Sequence, residues 1–348
     1  AEVLQAIATV ARTDKYFAAS DIFLCHYPAS LCMLLRDARP QTPILHLYDS
    51  QPFRTTPQSW LYWAVHGRLG ALAVHSEKDV VFTTSSVVSA QVEYLSGVHL
   101  PAVTPLALYF NCSHSPSSSS DREETIYLLL FRTHSYWQTH PGVMMMEMLL
   151  RFLHVNELGG HRQHVELILQ HGKYGHISPE DLMKPTAVLF IPEDLVKMSF
   201  WELYKAAMPI FIPDRGFAAT IMPHLDGTGR SGTEFFDSHG QGMLAHFFDP
   251  LAALPPYNAE HIQDWLSPFD ARAFSDGHRK VFQWSALADF WNLPAVQHFA
   301  SMPQLLQQLW AADFVKLSAE ARRHHAEVLS RSSREFYREA LHTLLGSG

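Results

Sequence analysis

FIPEDLVKMSFWELYKAAMPIFIPD, residues Phe190 to Asp214, decides the fold class. It opens on the tail of an apolar run (AVLFIP, Ala187 to Pro192). A segment with helical spacing (LVKMSFWELYKAA) follows, then a second apolar run (PIFIPD, Pro209 to Asp214). Short continuous apolar runs bounded by turn residues are the pattern of strands buried on both faces. A helix between two such strands makes a β-α-β unit, whose strands lie parallel in one sheet. One acid, Asp194, ends the first run, and a second, Glu202, lies eight positions on, within the helix. Ala206-Ala207-Met208-Pro209 turns the chain back into the sheet.

The same alternation extends outward in both directions. TIYLLLF (Thr125 to Phe131) reads as a central parallel strand, GVMMMEMLLRFLHVN as a helix, and HVELILQ (His164 to Gln170) as a strand. Residues 215 to 245 are rich in Gly, Ser, Asp and His without periodicity, which predicts a long loop. From about Trp284 onward, i, i+3, i+4 apolar spacing predicts helices. Upstream, DIFLCHYP (Asp21 to Pro28) and PILHLYD (Pro43 to Asp49) read as strands. VVFTTSSVVSAQVEYLSG reads as a strand running into a helix that stops at Gly97, and AVTPLALYF as a last strand. NCSHSPSSSSDREE (Asn111 to Glu124) is Ser-rich and apolar-poor, as an interdomain linker is.

The expected fold class is therefore α/β, with two Rossmann-like, doubly wound domains and C-terminal helices. The expected borders are an N-terminal α/β domain at 1–111, a linker at 112–124, a second α/β domain at 125–283 and closing helices at 284–348. Ligands of open α/β sheets bind outside the carboxyl ends of the strands, where the strand order reverses. Two such domains place a cleft between their sheet ends.

Composition narrows the function classes. The chain has 348 residues, 47% of them hydrophobic and 17% charged, so it can bury a large core and is not disordered throughout. Its formal charge is −8 and it has no run of five basic residues, which argues against a nucleic-acid stripe or a polybasic membrane patch. No apolar run approaches the roughly 20 residues of a membrane span, so no transmembrane segment is expected in this chain. VLQAIATVARTDKY reads as an amphipathic helix rather than a secretory signal. Position 1 is not Met, which leaves an upstream targeting segment or anchor open. The compartment stays open with it, cytoplasmic or, given such an anchor, the Golgi lumen. Cys25, Cys32 and Cys112 cannot make a disulfide framework and none has C-x-x-C spacing; a reducing compartment is the simplest reading. Asn111-Cys112-Ser113 fits the N-glycosylation pattern, which has meaning only in a luminal protein. The histidines are scattered, and the pairs His161/His164 and His171/His176 lack a third ligand, so no metal and no cofactor are expected. Hydrolase, nucleotide-triphosphatase and dinucleotide motifs are absent from the sequence.

The Phe190 to Asp214 stretch resembles the C-terminal donor-binding segment of retaining glycosyltransferases with the GT-B fold. That segment runs acid, seven residues, Glu, a small-residue turn, a Pro and an apolar strand. The resemblance implies transfer of a sugar from a nucleotide-sugar to an acceptor without a metal. By position it puts Asp194 on the sugar hydroxyls, Glu202 on the ribose hydroxyls, and the amides of Lys197, Met198 and Ser199 on the diphosphate. Carboxylates suit vicinal diols because charge-assisted hydrogen bonds are the strong ones, and a helix N-terminus suits an anion. Arg132 stands where the family places an Arg against the diphosphate. The family's companion Lys is missing, Thr139 and His140 occupying that region, and Lys173 in the HGKYGH loop is its candidate replacement. Two family glycines are replaced, by Lys197 and Met208.

In the first half, His26, His46 and Asp49 stand at expected strand ends facing the cleft, on the acceptor side, with His26 grouped with Asp194 and Arg132 as the catalytic candidates. The family's opening strand and Gly-rich loop have no counterpart before Asp21, which leaves open a missing or truncated first unit. Two other readings stay open. One is a catalytically silent GT-B-like binding or scaffold protein. The other is a sugar-nucleotide epimerase, which needs an acid/base pair in the cleft.

Overall fold

The computed structural model describes residues 6, 9, 10, 13–26, 35–48, 78–96, 98–115, 125–131, 137, 140–158, 163–169, 178–192, 195–221 and 277–346. It is an α/β chain of parallel sheets that ends in helices. The chain divides into two compact units. One takes the described residues of Ala1–Thr104 and Ser332–Gly348, the other those of Pro105–His239 and Arg272–Arg331. The division falls at Thr104, before the expected border at 111. It also falls at Arg331, inside the expected block of closing helices.

In the first unit, β1 (Phe23–Cys25), β2 (Ile44–Tyr48) and β3 (Val80–Thr83) form a parallel sheet in the order β1-β2-β3. Asp14 caps α1 (Lys15–Ala18), accepting from the amides of Tyr16 and Phe17. α2 (Ser86–Ser96) follows β3, and Ser85 Oγ accepts from the Val87 amide at its start. An ion pair joins half-buried Arg36 to buried Asp79, and the same carboxylate accepts from the Ile44 amide at 2.8 Å. It thus ties the start of β2 to the residue before β3. The strand expected at AVTPLALYF shrinks to one bridge between Thr83 and Ala102; its later part belongs to the second unit. Leu45, Phe82 and Val103 pack with Ala340 and Leu344 of α10 (Ser330–Leu345), and the Phe336 ring lies 5.1 Å from that of Phe82. Cys25 is disulfide-bonded and Cys112 is a free thiol, a departure from the reduced set anticipated above.

Among the described residues the second unit holds five parallel strands, β4 (Thr125–Leu130), β5 (His164–Leu169), β6 (Ala187–Leu189), β7 (Ile210–Pro213) and β8 (Val296–Phe299), in the order β5-β4-β6-β7-β8. β6 and β7 are buried throughout, as strands covered on both faces must be. Its helices are α3 (His140–Leu158), α4 (Pro179–Leu182), α5 (Met198–Lys205), α6 (Arg215–Ile221), α7 (Gly277–Ser285), α8 (Met302–Ala311) and α9 (Phe314–His324). The chain steps from β4 out to β5, then returns across β4 to β6. The switch point therefore lies between β4 and β6.

Two expectations are corrected. β8 lies inside the region expected to be wholly helical: four residues, VQHF, with two polar ones, carry no period to detect. The long loop expected from 215 begins instead as α6, because Asp214 Oδ1 accepts from the Phe217 amide at 2.7 Å and so caps it. α5 ends where the Ala-Ala-Met-Pro turn was expected. The Met208 amide donates to Leu203 O and the Ala207 amide to Tyr204 O, the paired bonds of a Schellman cap, with Ala207 at φ 61.

Candidate functional site

The strand order directs attention to the carboxyl ends of β4 and β6 and to the helix that follows β6. Beneath them lies an aromatic layer. Phe131, just past β4, stacks on Phe190, just past β6, at 5.9 Å, and Phe190 meets Phe200 of α5 edge-on at 5.6 Å. Phe290 closes the layer, 5.1 Å from Phe200 and 6.2 Å from Phe190. All four rings are buried. Such pairs contribute about 0.5–1.5 kcal/mol each beyond their burial, and they tie both strand ends to the first turn of α5.

α5 starts at Met198. Its N-cap, Lys197, has extended backbone and makes no side-chain capping bond. The amides of Met198 and Ser199 open the helix and have no acceptor within it. Ser199 is 3% exposed, and its Oγ lacks a hydrogen-bond partner among the described residues. A buried hydroxyl without a partner costs about 1–3 kcal/mol, which a ligand at this spot would recover. One turn on from Met198, Glu202 is half-buried and its Oε1 accepts from the Tyr109 hydroxyl at 2.6 Å. Partial desolvation, on a residue that keeps most of its surface in water, and then this bond and the Glu202 charge push the Tyr109 phenol up to about 12, so it stays protonated. Tyr109 itself is 67% exposed.

The segment carrying Tyr109 is strapped to α5. Lys205 Nζ donates to the carbonyls of Ala107 (3.1 Å), Leu108 (3.3 Å) and Phe110. The His114 amide donates to Ala206 O at 2.7 Å. The far side of α5 is anchored as well: the Tyr204 hydroxyl donates to Pro294 O and lies 2.9 Å from His324 Nδ1.

Of the residues singled out in the sequence, the structure gathers Lys197, Met198, Ser199 and Glu202 at one helix start. Asp194, Arg132, Lys173, Asp49 and Thr139 lie outside the described residues. His26 is exposed, one residue past β1, in the other unit. His46 is a correction. It sits inside β2 rather than at an open strand end and is 1% exposed, with neither ring nitrogen hydrogen-bonded among the described residues. Burial, and to a lesser degree the neighbouring charge of His26, push its imidazole down to about 4, so it is neutral near pH 7. Such a ring suits a core position better than an acceptor site.

Sequence reasoning missed two residues. Tyr109 is 93 positions from its partner Glu202, and no local pattern announces a pair at that separation. Asp289, next to Phe290 of the aromatic layer, has its carboxyl pushed up to about 7 by burial, the range of a general acid or base. The groove between α3 and α8, of about 360 Å³ and lined by Phe152, Leu306 and Trp310 among others, has no titratable side chain among the described residues that line it. Among the described residues no group of three or more His, Cys, Asp or Glu is placed to hold a metal ion, and no helix is long and apolar enough to cross a membrane. Compared with protein families, curated proteins and solved structures, the chain matches none.

Proposed function

We propose that the chain is a glycosyltransferase of the retaining type that moves a sugar from a nucleotide-sugar to an acceptor. One observation carries the reading. At the switch point of a parallel sheet, α5 begins with amides that have no acceptor within the helix and with a buried Ser199 hydroxyl that has no partner among the described residues, and it carries the Glu202 carboxylate one turn further on. Anion donors followed at that spacing by a diol acceptor fit a nucleoside diphosphate. The finer arrangement, two Rossmann-like domains facing a cleft as in GT-B enzymes, belongs to this proposal. It draws support from the chain's return, through α10, to the unit in which it began.

In this reading the amides of Met198 and Ser199 bind the diphosphate, and Arg132, Lys197 and Lys173 neutralise it. Glu202 accepts from the ribose hydroxyls and Asp194 from those of the sugar. The bond between the anomeric carbon and the diphosphate breaks, the acceptor oxygen bonds to that carbon on the same face and passes its proton to the departing diphosphate, whose remaining charge is stabilised by donors already in place. No metal enters the scheme. His26 belongs to the acceptor side.

A second reading, a sugar-nucleotide epimerase, draws on Asp289, whose raised carboxyl would serve one half of an acid/base pair. NMR of UDP- and GDP-sugars incubated with the protein distinguishes the two, since transfer or hydrolysis frees the nucleotide whereas epimerisation yields a new nucleotide-sugar. The glycosyltransferase reading predicts that Asp194→Asn binds UDP or GDP like the wild type while release of the sugar collapses. A donor that survives intact with both proteins, or an Asp194→Asn variant as active as the wild type, overturns it. Intact donors together with undiminished nucleotide binding would instead identify a silent binding protein.

A further inference from the structure

The segment that holds Tyr109 also displays Asn111. Along 110–115 burial alternates: Phe110 and His114 are buried, Cys112 is half-buried, and Asn111, Ser113 and Ser115 are exposed. Asn111 and Ser113 are thus both presented to solvent. The segment is pinned on both sides of them. Lys205 Nζ donates to Phe110 O, while His114 donates through its amide to Ala206 O and accepts at its own carbonyl from Arg322 at 2.9 Å. A substituent on Asn111 would therefore extend into solvent without disturbing the packing on α5. Asn111-Cys112-Ser113 satisfies Asn-X-Ser with X other than Pro.

A second, independent observation fixes the kind of compartment in which that pattern has meaning. Cys25 is disulfide-bonded, and structural disulfides persist where the surroundings are oxidising. We infer that Asn111 is an N-glycosylation site, modified in an oxidising lumen where Cys25 is held as a disulfide.

The chemistry balances with co-reactants of such a lumen. The Asn111 amide nitrogen bonds to the anomeric carbon of a lipid-pyrophosphate-linked oligosaccharide. The carbon–oxygen bond to the pyrophosphate breaks, the lipid pyrophosphate leaves with the electron pair, and the amide proton passes to a base of the transferring enzyme. Closing the disulfide removes two electrons and two protons from two thiols, and a disulfide-carrying oxidoreductase accepts them, being reduced to its dithiol. Cys112, as the middle residue of the pattern, is left as the free thiol.

The test uses the protein purified from cells that express its full-length gene. Treatment with a peptide-N-glycosidase should sharpen and speed its gel migration and convert Asn111 to Asp in the mass spectrum. Ser113→Ala, which leaves Asn111 and the fold in place, should lose the shift completely. Alkylation without reductant should label Cys112 and leave Cys25 in a disulfide-linked peptide. An unmodified Asn111 peptide overturns the inference, as does a shift that survives in Ser113→Ala or a Cys25 alkylated without reductant. None of these readouts depends on nucleotide binding, so this inference and the proposed activity stand or fall separately.

Discussion

Tyr109 and Glu202 make a charge-assisted hydrogen bond that any ligand of the carboxylate must share or displace. If Glu202 holds ribose hydroxyls, Tyr109→Phe removes a competitor, and nucleoside diphosphate affinity should rise about three- to tenfold, the worth of one net hydrogen bond. Unchanged affinity with lowered stability would make the pair a strap and nothing more. His46 carries a prediction of another kind. Its folded pKa of about 4 lies below the 6.5 of an unperturbed imidazole. The neutral ring therefore stabilises the fold fully above pH 6.5, and that stabilisation is lost as pH falls from there toward 4. The His46 imidazole resonances should stay flat down to about pH 5 and titrate near pH 4; a midpoint at 6.5 would contradict its burial. His46 also marks a limit of sequence reading. PILHLYD reveals a strand, but not that the neighbouring elements close over its one histidine.

At the scale of elements, the apolar runs at Thr125, Ala187 and Pro209 were legible because strands buried on both faces have no polar alternation to obscure them. β8 was not legible, because four residues with Gln and His at the centre resemble any loop. α6 was lost in a Gly- and Ser-rich stretch, although Asp214, placed to cap it, was visible. The end of α5 offers a sharper test. Ala207 occupies the left-handed C′ position at φ 61, where a Cβ is unfavourable. Replacing it with Gly relieves a strain of roughly 1–2 kcal/mol and adds about 0.5–1 kcal/mol of chain entropy cost. Ala207→Gly should thus stabilise the second unit by about 0.5–1 kcal/mol in denaturant unfolding. A clear destabilisation would mean that the lost methyl, buried in the core, matters more than the backbone.

Across the whole molecule, the sequence pattern conveyed two α/β halves and helices at the end, but not where the halves divide. The Ser-rich stretch drew the border toward 111, whereas residues 105–115 are held to α5 by Lys205 and by the Ala206 carbonyl. Those bonds join positions roughly 95 apart, beyond the reach of composition. The closing helices likewise read as one block, and only packing on Phe82 assigns α10 to the first unit. What unites these observations is a single helix, α5, with the switch point at its start, a carboxylate one turn in, and the strap across it. Calorimetric titration of the intact protein and of Glu202→Gln with UDP and with GDP tests that claim most directly. Saturable one-to-one binding of at least one nucleotide is expected, weakened in the variant by about 1.5 kcal/mol or more, which is over tenfold. No binding of either nucleotide, or equal affinities in the two proteins, would contradict it.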